Sequence, residues 1–314
     1  MRIVIIGGSG FIGSNLAAEF LELGHEVSIY DLQANEFNQG QEGRRIGWIK
    51  GNVLERDDLV RSFQQTGAEL AIHLAALRNN DSQEKPYLAH SINSTGLVNV
   101  LEAARLTAVK RVVYASSAAV YGSASYYRSL GMDPFCVKEW MPARPYNVYG
   151  ATKLYNEQMA KQYMEIYGLR TIGLRISIVV GPGKKAGSKT SEFNDIIEAP
   201  VRQKAASISS YGDQKVNLIF VPDVVQGFVR ACMAEGIEQA IYNLGGFVIN
   251  TRKLVATVKD MFPEAKIGIE ESDKERAVAS AIDSALAGKE LGYKPRLSLR
   301  ESIKLHNEMV AKSL

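Results

Sequence analysis

The chain has 314 residues, 46% of them hydrophobic and 23% charged, with a formal net charge of +3. That is an ordinary globular balance for one large domain or two intertwined ones, too mildly basic to argue for a nucleic-acid partner. No apolar run approaches the roughly 18 residues of a membrane helix, so no membrane partner is expected. Two cysteines, Cys136 and Cys232, lack metal-ligand spacing and read as reduced thiols. The apolar start "MRIVIIGGSG" is too short for a signal-peptide core, so a cytoplasmic protein without a metal is expected.

In chain order, strand-like and helix-like segments alternate. "RIVIIG" (2–7) is a short β-branched run suited to a strand buried on both faces, and "FIGSNLAAEFLELG" (11–24) has apolar residues at helical spacing up to Gly24, a C-cap. "HEVSIYD" (25–31) and "GWIKGNV" (47–53) read as strands, "LVRSFQQTG" (59–67) as a helix and "LAIHLAA" (70–76) as a fourth strand. A longer helix is predicted over roughly 86–107, then a strand "RVVYASS" (111–117), a helix "ATKLYNEQMAKQYMEIYG" (151–168) and a strand "RTIGLRIS" (170–177). This rhythm predicts an α/β fold, a doubly wound parallel sheet that binds ligands at the carboxyl ends of its strands. It breaks at the Gly/Lys/Ser-rich "GPGKKAGSKTSEF" (181–193), beyond which a C-terminal helix is expected at 298–312. The expected division is a main domain over 1–176, with 216–245 returning to it, and a smaller C-terminal substrate-binding lobe from 177–215 and 246–314.

"GGSGFIG" (7–13) sets Gly7, Gly10 and Gly13 between a predicted strand and helix. Gly7 permits the tight turn, Gly10 the close approach of a pyrophosphate, and Gly13 close packing of helix on strand; the helix N-terminus offers free N–H groups to phosphate. Asp31, ending the second strand, can accept both ribose hydroxyls of the adenosine and repels a 2′-phosphate, which favours NAD over NADP. Arg44 and Arg45 are positioned to offset that preference.

Two serines in "VVYASSAAVYG" (112–122) end a strand that faces the cofactor cleft. Ser117 can hold a substrate oxygen and Tyr149 can exchange its proton. A phenol of pKa near ~10 is a poor base at neutral pH. Lys153, one turn on with its Cβ ~5–6 Å away, is expected to lower that pKa together with the charge of oxidised nicotinamide. In isolation a Tyr/Lys pair at this spacing is a common surface feature; the serine strand and the glycine loop upstream give it a role.

With GGSGFIG, Asp31, "HLAA" (73–76), "NSTGLVNVLEAA" (93–104), "SSAAVYG" (116–122) and "YGATK" (149–153) in this order, residues 1–180 resemble the extended short-chain dehydrogenase/reductase superfamily, its NAD-dependent epimerase/dehydratase family. The resemblance implies a Rossmann-type domain with bound NAD and a catalytic set of Ser117, Tyr149 and Lys153. It implies that Phe11 and Ile12 join the glycines at the cofactor, that Asn52 and Val53 line the adenine, and that Leu74, Ala75 and Ala76 lie near the ribose. Asn93 and Ala115, with Tyr149 and Lys153, complete the implied cofactor set. Most relatives carry Asp where this chain has Asn52. A homodimer through helices at roughly 88–107 and 150–167 is implied as well.

The chain departs from the family's pattern on the substrate side. Dehydratases carry Asp-Glu after the catalytic Ser/Thr, where this chain has Ala118-Ala119, so elimination of water is not expected. Nucleotide-sugar epimerases carry "NVYGP" and "RDYIHVDD"; here Ile178 replaces the Asn, Val216 the Arg and Phe220 the His, which removes a grip on a diphosphate. Lys215, Arg202 and Arg276 are the candidates to replace it. "LIFVPDVV" is more like the matching segment of short-chain L-threonine dehydrogenases and dehydrogenases of small sugar acids. Arg78, Ser117, Ala118, Ser177, Lys184 and Lys185 are expected at the substrate, with Lys189 nearby, as an attraction for an acid. The expected function is NAD-dependent oxidation of a secondary alcohol on a small sugar, sugar acid or polyol. The alternative is a nucleotide-sugar 4-epimerase that keeps its NAD. A non-enzymatic NAD-sensing or RNA-binding scaffold is disfavoured by the intact catalytic set.

Overall fold

The computed structural model describes residues 1–34, 46–184, 190–237, 239–276, 279 and 281–312. Its strands are β1 (Arg2–Ile6), β2 (Glu26–Asp31), β3 (Gly47–Lys50), β4 (Leu70–His73), β5 (Arg111–Ser117), β6 (Arg170–Ile176), β7 (Ile178–Val180), β8 (Ala206–Ser210), β9 (Lys215–Phe220), β10 (Ile241–Leu244), β11 (Phe247–Asn250) and β12 (Ile267–Glu271). Seven of them form one sheet in the order β10-β6-β5-β4-β1-β2-β3, with every pairing parallel. This is the doubly wound Rossmann-type sheet that the alternating segments predict.

The apolar runs are continuous because both faces of the sheet are covered. Ile3 and Ile5 of β1 pack on one side with Leu16 and Phe20 of the helix Phe11–Glu22 and with Phe228. Val4 and Ile6 pack on the other with Leu59, Phe63, Leu97 and Leu101. Each fully buried side chain of this size contributes about 1.5–3 kcal/mol. β1 lies between β2 and β4, so the chain leaves it in one direction and returns on the other side. That reversal opens a crevice at the carboxyl ends of β1, β4, β5 and β6.

A second cluster, with Phe193, Ile196, Leu218, Phe220, Leu254 and Val258, joins the three-stranded sheet β11-β9-β7 and the pair β12-β8. The chain then crosses back: the helix Val221–Met233 puts Val224 and Phe228 into the core of the large sheet, and β10 extends that sheet beside β6.

The helix expected over 86–107 is broken. A short helix Asn79–Glu84 comes first and stops before Pro86, which opens Pro86–His90. A wide turn over Ser91–Thr95 then leads into Gly96–Arg105. β4 ends at His73 rather than 76, which leaves Leu74–Arg78 as a connecting segment along the crevice.

Candidate active site

The crevice is a cleft of about 1690 Å³, larger than most single-ligand pockets and roomy enough for a dinucleotide with a second small molecule. At its floor Gly7 has φ +79°, and a Cβ there would lie 2.5 Å from the Ala75 backbone nitrogen. A Cβ at Gly13 would lie 2.5 Å from Gly8 Cα, so the helix can start this close to the loop only with glycine. Gly10 differs: a Cβ there would meet nothing nearer than Gly7 O at 3.3 Å, and the space beside it is the cleft itself. The first helical turn carries no acidic residue and no side-chain cap. Its N–H groups and dipole are therefore available to an anion. These features fit the pyrophosphate of NAD.

Asp31 lines the cleft, with Oδ2 accepting from Ser9 N–H at 3.0 Å and Oδ1 from Leu32 N–H at 2.7 Å. The loop thus holds the carboxylate at the adenosine end. Asn52 and Val53 line the same end; Asn52 Oδ1 accepts from Leu54 N–H at 3.1 Å, which closes the turn after β3. Phe11, Ile12, Leu74, Ala75, Ala76 and Ala115 line the cleft as well. Asn93 does not. It is fully buried behind the wall, its Oδ1 accepting from Leu77 N–H at 2.7 Å and its Nδ2 donating to Leu77 O and Thr152 Oγ1. Its amide is used up in holding the Leu74–Arg78 segment against the neighbouring helix, so it shapes the cofactor wall without lining it. Arg44 and Arg45 lie outside the described residues.

The reactive groups meet at the other end. Asn147 caps the helix Val148–Tyr167, its Oδ1 accepting from Gly150 N–H at 2.7 Å, which places Tyr149 in the first turn. Tyr149 is hydrogen-bonded to Ser117 at the end of β5, and Ser117 Oγ also accepts from Ala119 N–H at 3.1 Å. Lys153 is buried and donates to Ala115 O at 2.8 Å, with Nζ 5.5 Å from the centre of the Tyr149 ring.

The protein's own groups pull the phenol the other way. Burial raises the phenol of Tyr149 above its ordinary pKa; the hydrogen bond to Ser117 and the positive charge of Arg78 oppose it without prevailing. Burial also pulls Lys153 down to about 8, against the carboxylate of Glu157. Desolvation penalises both charged forms, an effect absent from an argument based on spacing and charge alone.

Glu157, one further turn along the same helix, was not singled out in the sequence. It accepts from Ser116 Oγ at 2.5 Å and from Arg175 Nε and Nη2 at 2.9 and 2.7 Å, and all three residues are buried. Its spacing from Lys153 was the available signal. Tyr146 and Asn217 also line the cleft and were not anticipated.

On the substrate side, Arg78, Ser117, Ala118, Ser177 and Lys184 line the cleft together. The Ser177 hydroxyl is buried without a partner. Lys184 behaves differently from the expectation. Its ammonium turns into the backbone, donating to Val179 O at 2.8 Å, Thr190 O at 3.1 Å and Thr190 Oγ1 at 3.3 Å, so its three donors are taken. Burial and the nearby charge of Arg78 bring it down to about 7. Lys185 and Lys189 lie outside the described residues.

The model of the NAD-dependent epimerase/dehydratase family matches residues 3–245. The chain belongs to this family. It is an NAD-dependent enzyme of the extended short-chain dehydrogenase/reductase type. A UDP-glucose 4-epimerase from Mycolicibacterium smegmatis is 29% identical over 318 residues, 96% of each chain. The fold is shared with the UDP-glucose 4-epimerase of Thermus thermophilus solved with NAD (24% identity, 100% of both chains, TM-score 0.86). It is shared equally with an L-threonine dehydrogenase from Cupriavidus necator (22% identity, 99% of this chain and 100% of that one, TM-score 0.87).

At the positions where nucleotide-sugar epimerases of the family keep an Asn and an Arg, Ile178 lines the cleft and Val216 is buried in the cluster with Leu218 and Phe220. The replacement cations are engaged elsewhere. Arg276 pairs with Glu192 at 2.7 Å and donates to Ser209 O, Arg202 pairs with Glu198, and Lys215 lies over the ring of Phe135.

Proposed function

We propose that the enzyme oxidises a secondary alcohol on a small polar substrate that carries no nucleotide. The observation that supports this reading is the loss of the diphosphate grip, since Val216 and Ile178 cannot donate and Arg276 is committed to Glu192. Tyr149 takes the hydroxyl proton, Ser117 donates to the same oxygen as it becomes a carbonyl, and the Lys153 ammonium favours the phenolate. The cofactor, when bound, supplies the hydride acceptor and a positive charge that opposes the desolvation of the phenol. Gly7, Gly10, Gly13 and Asp31 would hold it, and the alanines at 118 and 119 leave no acid–base pair for dehydration.

A second reading, a nucleotide-sugar 4-epimerase, uses the same three side chains and is favoured by the relative from Mycolicibacterium smegmatis. Incubation with free NAD and matched panels of sugar acids, polyols and UDP-sugars separates the two. Reduced cofactor accumulating with product supports dehydrogenation, whereas inverted product without it supports epimerisation. Tyr149→Phe is expected to abolish either reaction and leave NAD bound; surviving turnover removes the proton role of Tyr149.

We place the reaction in the cytoplasm, in keeping with two free thiols at Cys136 and Cys232. The working form in this reading is a homodimer. Tyr87 (85% exposed) and Leu88 on one helix, and Tyr155, Ile166 and Tyr167 on another, leave apolar surface to cover. Light scattering at micromolar concentration tests it, and a monomer there refutes it.

A further inference from the structure

Among the described residues, four basic side chains line the cleft: Arg78, Lys153, Lys184 and Arg202. Three are spent. Lys153 donates to Ala115 O, Lys184 to Val179 O and Thr190, and Arg202 pairs with Glu198. The Arg78 guanidinium has no hydrogen bond or ion pair among the described residues, and its charge is felt at both Tyr149 and Lys184. It therefore lies within electrostatic reach of both the reactive phenol and Lys184, which follows β7. The acids among the described lining residues are Asp31, which ends β2 beside the glycine loop, and Glu22, at the far end of the helix Phe11–Glu22. The neutral groups at this end include Ser177, whose buried hydroxyl is orphaned, and Asn217, whose Oδ1 is taken by Gly246 N–H, leaving its amide hydrogens as donors.

Arg78 is exposed to the cleft, so its guanidinium, with the further donors beside it and no described lining carboxylate close by, can exchange water for a charge-assisted hydrogen bond to an anion. We infer that the substrate is a hydroxy acid, its carboxylate paired with Arg78 while its secondary hydroxyl meets Ser117 and Tyr149. A single negative charge matches the one guanidinium that is unpaired among the described lining residues. The inference rests on the dehydrogenase reading and narrows it to acids. The same anion chemistry could instead come from the diphosphate of the cofactor, and the test must separate the two sources.

Glycolate, a hydroxy acid of single charge, and its uncharged counterpart glycolamide serve as probes for equilibrium binding to the protein carrying reduced cofactor, followed by cofactor fluorescence. Glycolate is expected to bind roughly ten- to hundred-fold tighter. Arg78→Met should erase that difference, and Arg78→Lys should restore part of it, with cofactor affinity changed less than about three-fold, short of a lost charged hydrogen bond. Equal binding of the two probes overturns the inference. So does an Arg78→Met variant that loses cofactor affinity and keeps the preference, which assigns the guanidinium to the cofactor. Turnover of hydroxy acids and of their amides separates this from the wider reading. If amides are oxidised as well as acids, the dehydrogenase stands and the carboxylate pairing falls. If glycolate binds tighter than glycolamide while no alcohol reduces the cofactor, the anion site stands and the dehydrogenase reading falls.

Discussion

Glu157→Gln tests how the catalytic helix is anchored. The carboxylate accepts from Ser116 Oγ at 2.5 Å and from Arg175 Nε and Nη2, along one edge of the guanidinium, at 2.9 and 2.7 Å, with the two side chains 2% and 8% exposed. Glutamine keeps the volume, so no cavity term enters; it removes the charge and sets an N–H₂ group against a donor. Removing one partner of a buried pair costs about 3–5 kcal/mol, because the other charge stays buried. Arg175 keeps Tyr121 OH at 2.6 Å and Glu139 O at 3.0 Å, which argues for the lower end, about 3 kcal/mol. That is a large part of a total stability of about 5–15 kcal/mol. Urea unfolding at neutral pH should show the midpoint falling at constant slope. Arg175→Met should be destabilising too, and the double variant should recover much of the loss, with a coupling of about 2 kcal/mol or more. A loss below about 1 kcal/mol, or single effects that add within about 0.5 kcal/mol, refutes the anchoring argument.

The same substitution carries a readout at the site. Glu157 is the group that holds the Lys153 pKa up against desolvation. Without it, Lys153 should lose its proton below its present value of about 8, and the alkaline fall in turnover that follows its deprotonation should move to lower pH.

His73 is buried with neither ring nitrogen bonded, and burial lowers it from 6.5 to about 3. The unfolded chain takes up a proton between those values and the folded one does not, so stability should fall as pH drops from 6.5 towards 3, by up to about 1.4 kcal/mol per unit. Urea midpoints across that range should flatten in His73→Leu, and an unchanged slope rejects the assignment. Asp31→Ser is expected to weaken NAD binding about 10- to 100-fold, the worth of charged hydrogen bonds, and to narrow the preference over NADP; a fluorescence titration with both cofactors decides. Gly13→Ala places a Cβ 2.5 Å from Gly8 Cα, where backbone cannot yield, so loss of NAD binding and a cost of about 1–3 kcal/mol are expected by titration and thermal melting. An alanine variant that binds NAD normally refutes the close-packing role.

The half of the molecule that holds the cofactor was readable because its signals are local. A β-branched run, glycines at fixed spacing and a helical period lie within the first 24 residues, and each constrains the backbone directly. The break within the helix expected over 86–107 was missed because helical spacing of apolar residues runs on across the wide turn at Ser91–Thr95. Lys184 was expected as a cation that attracts an acidic substrate, yet its ammonium closes the loop by bonding carbonyls that only the folded chain brings near. Asn93 sits in a motif that tracks the cofactor, but its amide is saturated by Leu77 and Thr152. In each case the role depends on partners distant in sequence, which spacing does not encode.

The treatment of the phenol shows what a motif leaves out. Tyr149 and Lys153 on one helical face suggest a cation lowering an acid, and charge alone gives that sign. Burial reverses it for the protein by itself, since the same desolvation that raises the phenol also drives the ammonium towards its neutral form. The ammonium is held charged from the far side, by Glu157 on the next turn and ultimately by its bond to Arg175 on β6. The physical unit is therefore a stripe of three residues at helical spacing, Tyr149, Lys153 and Glu157, running from the cleft into the sheet. One end exchanges the proton, and the other end sets whether the middle keeps its charge.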